Sequence, residues 1–434
     1  MSVPGAADPA RAGKQDRAEN GGAMPPLDDA SLRRDVDALA ALGPRFAGTE
    51  GEIRAREFLA RELAATGLEV AAEEFAHLAY EPGASTLVAD ASLHRDRPES
   101  TAAPGLAPTD ASLPCAGLQM TTAGVVEAAA IYVGDGTEGT ESIDGRIAVF
   151  RSGVPTTVAP ALAARGAAGM IALSPAPDGL ITHLVASFQP TAGPSQGERV
   201  LSIPGVSVEA EASERLLARL SRGSNRVRLE HRASYMERTS ANLIAEIPGT
   251  EPDAPKVVVG AHYDSQLESP GAADNATGLA ALLAMARAWA AARPRRTIAL
   301  VAFGVEESGS WGAADYAARH AGEGIAAMVN LDALGPPLDA TRTIVADPRL
   351  AALAAEEARA TGWHVEQELD ARKFPFADHA PFVAAGIPTA WIWRYPPPHP
   401  YYHSSGDTPR WVNFTLLAED AAASAATTWR LANP

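Results

Sequence analysis

RTIALVAFGVEESGS, residues 296–310, runs through an unbroken apolar stretch and stops on two adjacent acids, Glu306 and Glu307. A short apolar run closed by Gly reads as a strand. Neighbouring side chains on a strand point to opposite faces, so two adjacent acids there rarely serve one purpose. Similar runs recur on both sides: ANLIAEIPG from Ala241, KVVVGAHYD from Lys256, IAAMVNLDA from Ile325 and IPTAWIW from Ile387. Helical stretches lie between them, Gly278 to Ala292 and Ser310 to His320 among them, and a last helix is expected over Trp411 to Leu431. Strand and helix alternating in this way predict an α/β fold, with one sheet covered on both faces by helices.

Upstream, TEGEIRAREFLARELAATGLEV from Thr49 predicts a helix. A capping box of Thr49 with Glu52 opens it and Gly67 closes it. Leu68 to Phe75 reads as a strand, and Glu81 to Leu113, rich in Pro, Ala, Ser and Thr, as irregular connection. From Gly117 onward, VVEAAAIYVGDG, GRIAVFRSG, ALAARGAAGMIALS and IPGVSVEAEASERLLARL read as a second group of strands and helices. Residues 1–28 read as a flexible polar lead without the apolar core of a secretory signal.

The 434 residues carry 36 Lys and Arg against 53 Asp and Glu, a formal charge of −17. No basic block stands out, which argues against nucleic acid and anionic membrane as partners. The most apolar long stretch, Gly278 to Ala292, is too short to span a bilayer and carries Arg287. The expected location is therefore cytoplasmic. A single cysteine, Cys115, excludes an intrachain disulfide and a cysteine-based zinc site. Any metal must be held by histidine and carboxylate.

Acids and histidines recur at the predicted strand exits. His262 and Asp264 follow VVVGA, Asp274 precedes the Ala/Leu helix, and Glu306 and Glu307 follow IALVAFGV. Asp332 follows IAAMVNL, and His403 lies in YYHSSGDT with Asp407 four residues on. Singly, each has a bland reading: a surface turn, a helix N-cap, a solvated charge pair, an aromatic loop. Together they fall where open α/β sheets place ligand sites. They also form an N/O donor set suited to zinc, with carboxylates able to bridge two ions.

The order and surroundings of these residues resemble the double-zinc exopeptidases, a family that includes bacterial leucyl and aminopeptidase-S type enzymes, glutamate carboxypeptidase and the transferrin receptor ectodomain. The matching stretches are LGPRFAGT, GAHYDS, GAADNATG, FGVEESG, NLDALG, FADHAPFVAAGIPTAW and YYHSSGDT. The resemblance implies a three-layer α/β/α sandwich with a mixed, mostly parallel central sheet. This catalytic domain would comprise residues 29–115 and 233–434. The block GRIAVFRSG, AARGAAGMIAL and IPGVSV is similar to the protease-associated domain, here a β-rich insert over 116–232.

The resemblance also implies two Zn2+ ions and peptide substrates. Asp274 would bridge the metals, His262 and Asp332 would complete one site, and Glu307 and His403 the other. Asp264 would hydrogen-bond the far nitrogen of His262, and Glu306 would be the general base. The expected reaction is removal of N-terminal residues from short peptides. Carboxypeptidase, glutaminyl cyclase and non-catalytic binding are the alternatives. Some relatives place a tyrosine before the FADHAPF-like motif, where this chain has Phe374 and Phe376; Tyr401 and Tyr402 are other hydroxyl donors. Asp378 and His379 are read as structural or near the substrate. Arg394 is read as a surface residue, or as a clamp for a substrate carboxylate.

Overall fold

The computed structural model describes residues 23–89, 112–136, 142–151, 155–187, 200–223, 225–338, 340–395 and 399–434. Most of the expected polar lead lies outside these residues. The strands in chain order are β1 (Val70–Pro82), β2 (Thr86–Ala89), β3 (Ser112–Leu113), β4 (Cys115–Gly117), β5 (Gly124–Tyr132), β6 (Ile147–Phe150), β7 (Gly169–Leu173) and β8 (Gly205–Val208). They continue as β9 (Arg226–His231), β10 (Ala233–Ile247), β11 (Lys256–His262), β12 (Ile298–Phe303), β13 (Ile325–Asn330), β14 (Thr341–Ala346), β15 (Gln367–Asp370) and β16 (Thr389–Tyr395).

They form two eight-stranded sheets. The first runs β1-β10-β12-β11-β13-β16-β14-β15 and is mixed. Its centre, β12-β11-β13-β16, is parallel, and antiparallel pairings flank it. β11 and β12 read as continuous apolar runs because both of their faces are covered. Val257, Val259 and Ala261 pack with helices 29–41, 50–64, 277–289 and 414–432 on one face. Val258, Val301 and Phe303 pack with helix 311–319 and Phe382 on the other. These are the three layers that the alternation of strands and helices predicts.

The second sheet runs β3-β2-β9-β5-β6-β7-β8-β4. Helix 210–221 covers one face through Ala212 and Leu216, and helix 155–164 the other through Val158, Ala159 and Leu162. The chain leaves the first sheet along β1 and returns along β10, which pair with each other from Val70↔Ala245 to Pro82↔Ala233. The stretch expected to be irregular over 81–113 contributes strands at both ends, β2 and β3, while residues 90–111 lie outside the described set. Four residues of TLVA are too few to show a period, and their strand character comes from pairing with β9, 140 or so residues away.

Two local expectations change. Thr49 is the N-cap of helix Glu50–Ala64, but its hydroxyl donates to Phe46 O at 2.6 Å and makes no cap bond. Glu52 accepts from Gly48 N at 2.6 Å and from the Ser240 hydroxyl, because the buried end of β10 offers it a partner. Arg394 is not a surface residue: it is 1% exposed and bound to Asp420 at 2.8 Å and Glu419 at 2.6 Å. Among the described residues, no helix is long and apolar enough to cross a membrane.

Asp420 also accepts from Trp363 Nε1 at 2.8 Å and Gly335 N at 3.0 Å, tying helix 414–432 to the sheet. Removing one partner of a buried ion pair leaves a charge without compensation, at a cost of about 3–5 kcal/mol. Asp420→Ala should lose stability of that order in urea unfolding. A loss below about 1 kcal/mol, the value of an exposed pair, would show that this buried pair is not what anchors the helix.

Candidate metal centre

Because β12, β11 and β13 are adjacent and parallel, their carboxyl ends lie side by side. This brings together His262 and Asp264 after β11, Glu306 and Glu307 after β12, and Asp332 after β13. All of them are buried. Asp274 comes from the turn before helix Thr277–Trp289, and His403 from the loop after β16.

The two oxygens of Asp274 face different histidines. Oδ1 lies 3.1 Å from His262 Nε2, which is 3.5 Å from Asp332 Oδ1. Oδ2 lies 3.1 Å from His403 Nε2, which is 3.3 Å from Glu307 Oε2. Five residues distant in sequence thus form two groups that share one carboxylate. Donor atoms of His262, Asp274 and Glu307 all lie within 4.8 Å of one another.

A set of backbone bonds holds this arrangement. Asp264 accepts from Glu306 N at 2.9 Å and Glu307 N at 3.1 Å, so its carboxylate orients the acid pair. Its distance to His262 Nδ1 is 3.5 Å, and the nearer acceptor for that nitrogen is its own main-chain oxygen at 3.2 Å. Asp407 accepts from Ala273 N at 2.9 Å and Asp274 N at 3.2 Å. Asn275, next to Asp274, ties the start of the following helix to the end of β13: its Oδ1 accepts from Gly278 N at 2.9 Å, and its Nδ2 donates to Leu331 O at 2.9 Å, beside Asp332. Glu306 and Glu307 then diverge. Both line the pocket, but Glu307 reaches His403, whereas Glu306 has its Oε1 3.5 Å from the Ser310 hydroxyl.

Beneath the cluster lies Arg45, wholly buried, which the sequence reading quoted in LGPRFAGT without a role. It donates to the carbonyls of Tyr263 at 3.0 Å, Gly271 at 3.0 Å and Pro270. Gly271 has φ +59, and a Cβ there would sit 2.8 Å from the guanidinium, so glycine meets both demands. The recognisable signal was a charge inside a segment of otherwise apolar, Gly and Pro residues.

The electrostatics ask for a cation. Burial pushes Glu306 and Glu307 well above the usual carboxylate range, and neighbouring acids add to the shift on each. Burial also works to raise Asp274, but hydrogen bonds to His262 and His403 outweigh it and hold this carboxyl low. Burial opposes charge on His262, yet Asp264, Asp274 and Asp332 raise it well above its ordinary value. Glu307 Oε1 is buried with no hydrogen-bond partner. An orphaned carboxylate oxygen within an N/O donor set, beside acids that burial keeps from ionising together, fits a bound divalent cation.

The pocket over the cluster, about 150 Å³, is walled by Phe376, Trp391, Trp393 and Tyr402 and by Pro155, Thr156, Leu184 and Val185 of the second sheet's unit. Of the two candidate tyrosines, Tyr402 lines it, its ring stacked on His403 at 3.7 Å. Tyr401 is committed elsewhere, donating to Asp178 at 2.5 Å. Asp378 and His379 are buried outside the lining, His379 against Trp391.

Sheet and site together define a class of α/β proteins that gather histidine and carboxylate at parallel strand exits. Residues 242–428 match the model of peptidase family M28. Aminopeptidase YwaD of Bacillus subtilis is 28% identical, over 85% of this chain and 77% of that protein. A probable zinc metalloprotease of Pyrenophora tritici-repentis is 38% identical over a shorter stretch, 21% of this chain and 24% of that protein. The chain thus spans about a quarter of the length of that relative. The solved structure of a zinc aminopeptidase from Bacillus subtilis, BSAP, has the same fold with a TM-score of 0.68, 22% identity and coverage of 94% and 96% of the two chains.

A cation that binds the folded state alone stabilises it by RT ln(1 + [L]/Kd), about 2.7 kcal/mol at a hundredfold excess over Kd. Zinc-loaded protein should therefore melt several degrees above chelator-treated protein. Identical melting curves would argue that the cluster holds no metal.

Proposed function

We propose that the protein is a zinc-dependent aminopeptidase acting on short peptides. The observation that carries this choice is the pocket lining. It holds Asp274, Glu306, Glu307 and Asp332 and, among the described residues, no lysine or arginine. Such a wall offers no cationic side chain to pair with a substrate's terminal carboxylate. Arg394, the one arginine considered for a carboxylate clamp, is committed to Asp420 and Glu419.

In this reading His262, Asp274, Glu307, Asp332 and His403 would hold the zinc, with the Asp274 carboxylate shared between the His262–Asp332 and Glu307–His403 groups. The bound metal would supply Lewis-acid polarisation of the scissile carbonyl and a water acidified toward neutrality. Glu306 accepts the proton of the attacking water as its oxygen bonds to the carbonyl carbon. It then delivers that proton to the amine nitrogen as the C–N bond breaks. Its separation from Glu307 matters here, since a carboxylate committed to metal is a poor base. Tyr402 is kept neutral, because burial and the surrounding acids push its hydroxyl well above the ordinary range. It therefore remains a donor that can hydrogen-bond the developing oxyanion. The stacked pair Trp391 and Trp393, with Phe376, makes an apolar wall for the N-terminal side chain. The second unit is inferred to be the protease-associated domain. Through Leu184, Val185, Pro155 and Thr156 it closes the pocket and limits substrate length.

Glu306→Gln should bind zinc as the parent does while kcat falls by about 10²–10⁴. Hydrolysis of free dipeptides and tripeptides, with N-acetylated peptides left intact, is the expected pattern. Cleavage indifferent to acetylation but dependent on a free C-terminus would instead make the protein a carboxypeptidase. Formation of pyroglutamate from N-terminal glutamine would make it a cyclase. Tyr402→Phe should lower kcat by about 10²–10³ with KM little changed, the size reported for loss of one oxyanion donor. An unchanged kcat would remove Tyr402 from the mechanism.

A further inference from the structure

The inference drawn here rests on the metal-centre reading above and concerns what keeps His403 in place. His403 has φ +57, a left-handed conformation uncommon for a residue other than glycine. Only the surrounding structure can hold it there, and the partner of its main-chain oxygen comes from the second sheet's unit. The His403 carbonyl accepts the backbone N–H of His183 at 2.8 Å. Two residues earlier, the Tyr401 hydroxyl donates to Asp178 at 2.5 Å. Three residues later, a Cβ on Gly406 would lie 2.9 Å from Leu180, so the two segments are in close contact.

The segment bearing Asp178 and His183 is itself fastened to the ends of β7 and β8. Ser174 N donates to Val208 O at 2.8 Å, the Ser174 hydroxyl oxygen accepts from Thr182 N at 3.0 Å, and the Ser207 hydroxyl donates to Thr182 O at 2.9 Å. Rigid contacts therefore run from the second sheet to the main chain of one proposed zinc ligand. A second link reaches the same pair of ligands. Gln119, beside this segment, donates to Gln266 at 2.5 Å, and Gln266 donates to the main-chain oxygen of Glu307 at 3.3 Å.

We propose that the second sheet's unit is a working part of the metal centre: its Asp178–His183 segment positions His403, and Asp178 and Tyr401 are positioning residues for zinc. Removing a group that orients a ligand typically weakens metal affinity 10–100-fold. In the full-length protein, Asp178→Ala and Tyr401→Phe should each raise the dissociation constant of the more weakly held zinc by about 10-fold, read by competition with a chromophoric chelator. Both should also shift the visible absorption of the Co2+-substituted protein, which reports ligand geometry. Asp178→Asn keeps an acceptor for the tyrosine hydroxyl and should restore most of the affinity and the parent spectrum. Parent affinity and spectrum in Asp178→Ala and Tyr401→Phe would overturn the proposal while leaving the metal centre intact. Equal losses in Asp178→Asn and Asp178→Ala, with lower melting temperatures of the metal-free forms, would assign these contacts to folding alone and also overturn it. Failure of the parent protein to bind zinc or Co2+ would remove the metal-centre reading and this inference with it.

Discussion

Carboxylates crowded into one dry space at the strand exits constrain everything else in this molecule. Like charges a few ångströms apart cannot all ionise in a buried site. The fold deals with the excess in two ways. Asp264 and Asp407 are turned onto backbone N–H groups, at Glu306, Glu307, Ala273 and Asp274, and so serve as internal braces. Arg45 lies below them, its fork spread over three carbonyls of the turns that carry Asp264 and Asp274. The acids left facing the pocket are those without such partners, and a divalent ion is the natural complement.

This division also explains why two adjacent glutamates differ. Their main-chain N–H groups are gripped by the same carboxylate, so the turn after β12 is rigid. Val305, at φ +60, redirects the chain just before them. From that fixed turn Glu307 reaches His403, while Glu306 turns toward Ser310. A strand continuing past Phe303 would have sent them to opposite faces of the sheet.

What could be read from the residues, and what could not, divides along the same physical line. β11, β12 and β13 are legible because full burial on both faces writes itself as unbroken Val, Ile, Leu and Ala. His262, Asp274, Glu307, Asp332 and His403 are legible as a group because parallel strands must end together. The braces were harder to see. Asp407, four residues after His403, holds the backbone of Asp274, 133 residues distant. Arg394 looked like a surface residue because nothing local announces Asp420 as its partner. The same is true of β2, whose short apolar run acquires meaning only from pairing with β9. Local pattern encodes burial and strand exits, whereas contacts between distant polar groups have no period to detect.

The antiparallel pairing of β1 with β10 places the second unit under a particular constraint. Pro82 and Ala233 are direct partners, with Gly83 N still bonded to Arg232 O at 2.8 Å, so the whole second sheet stands where a hairpin turn would otherwise close the ladder. The second sheet thus lies at the tip of the β1–β10 ribbon, and none of its strands enters the order of the first sheet. Its loops have nonetheless grown into hydrogen-bond contact with the segment that carries His403. A change in the loops of the second sheet therefore has a covalently distant but hydrogen-bonded route to the loop of His403, one that leaves every strand of the first sheet untouched.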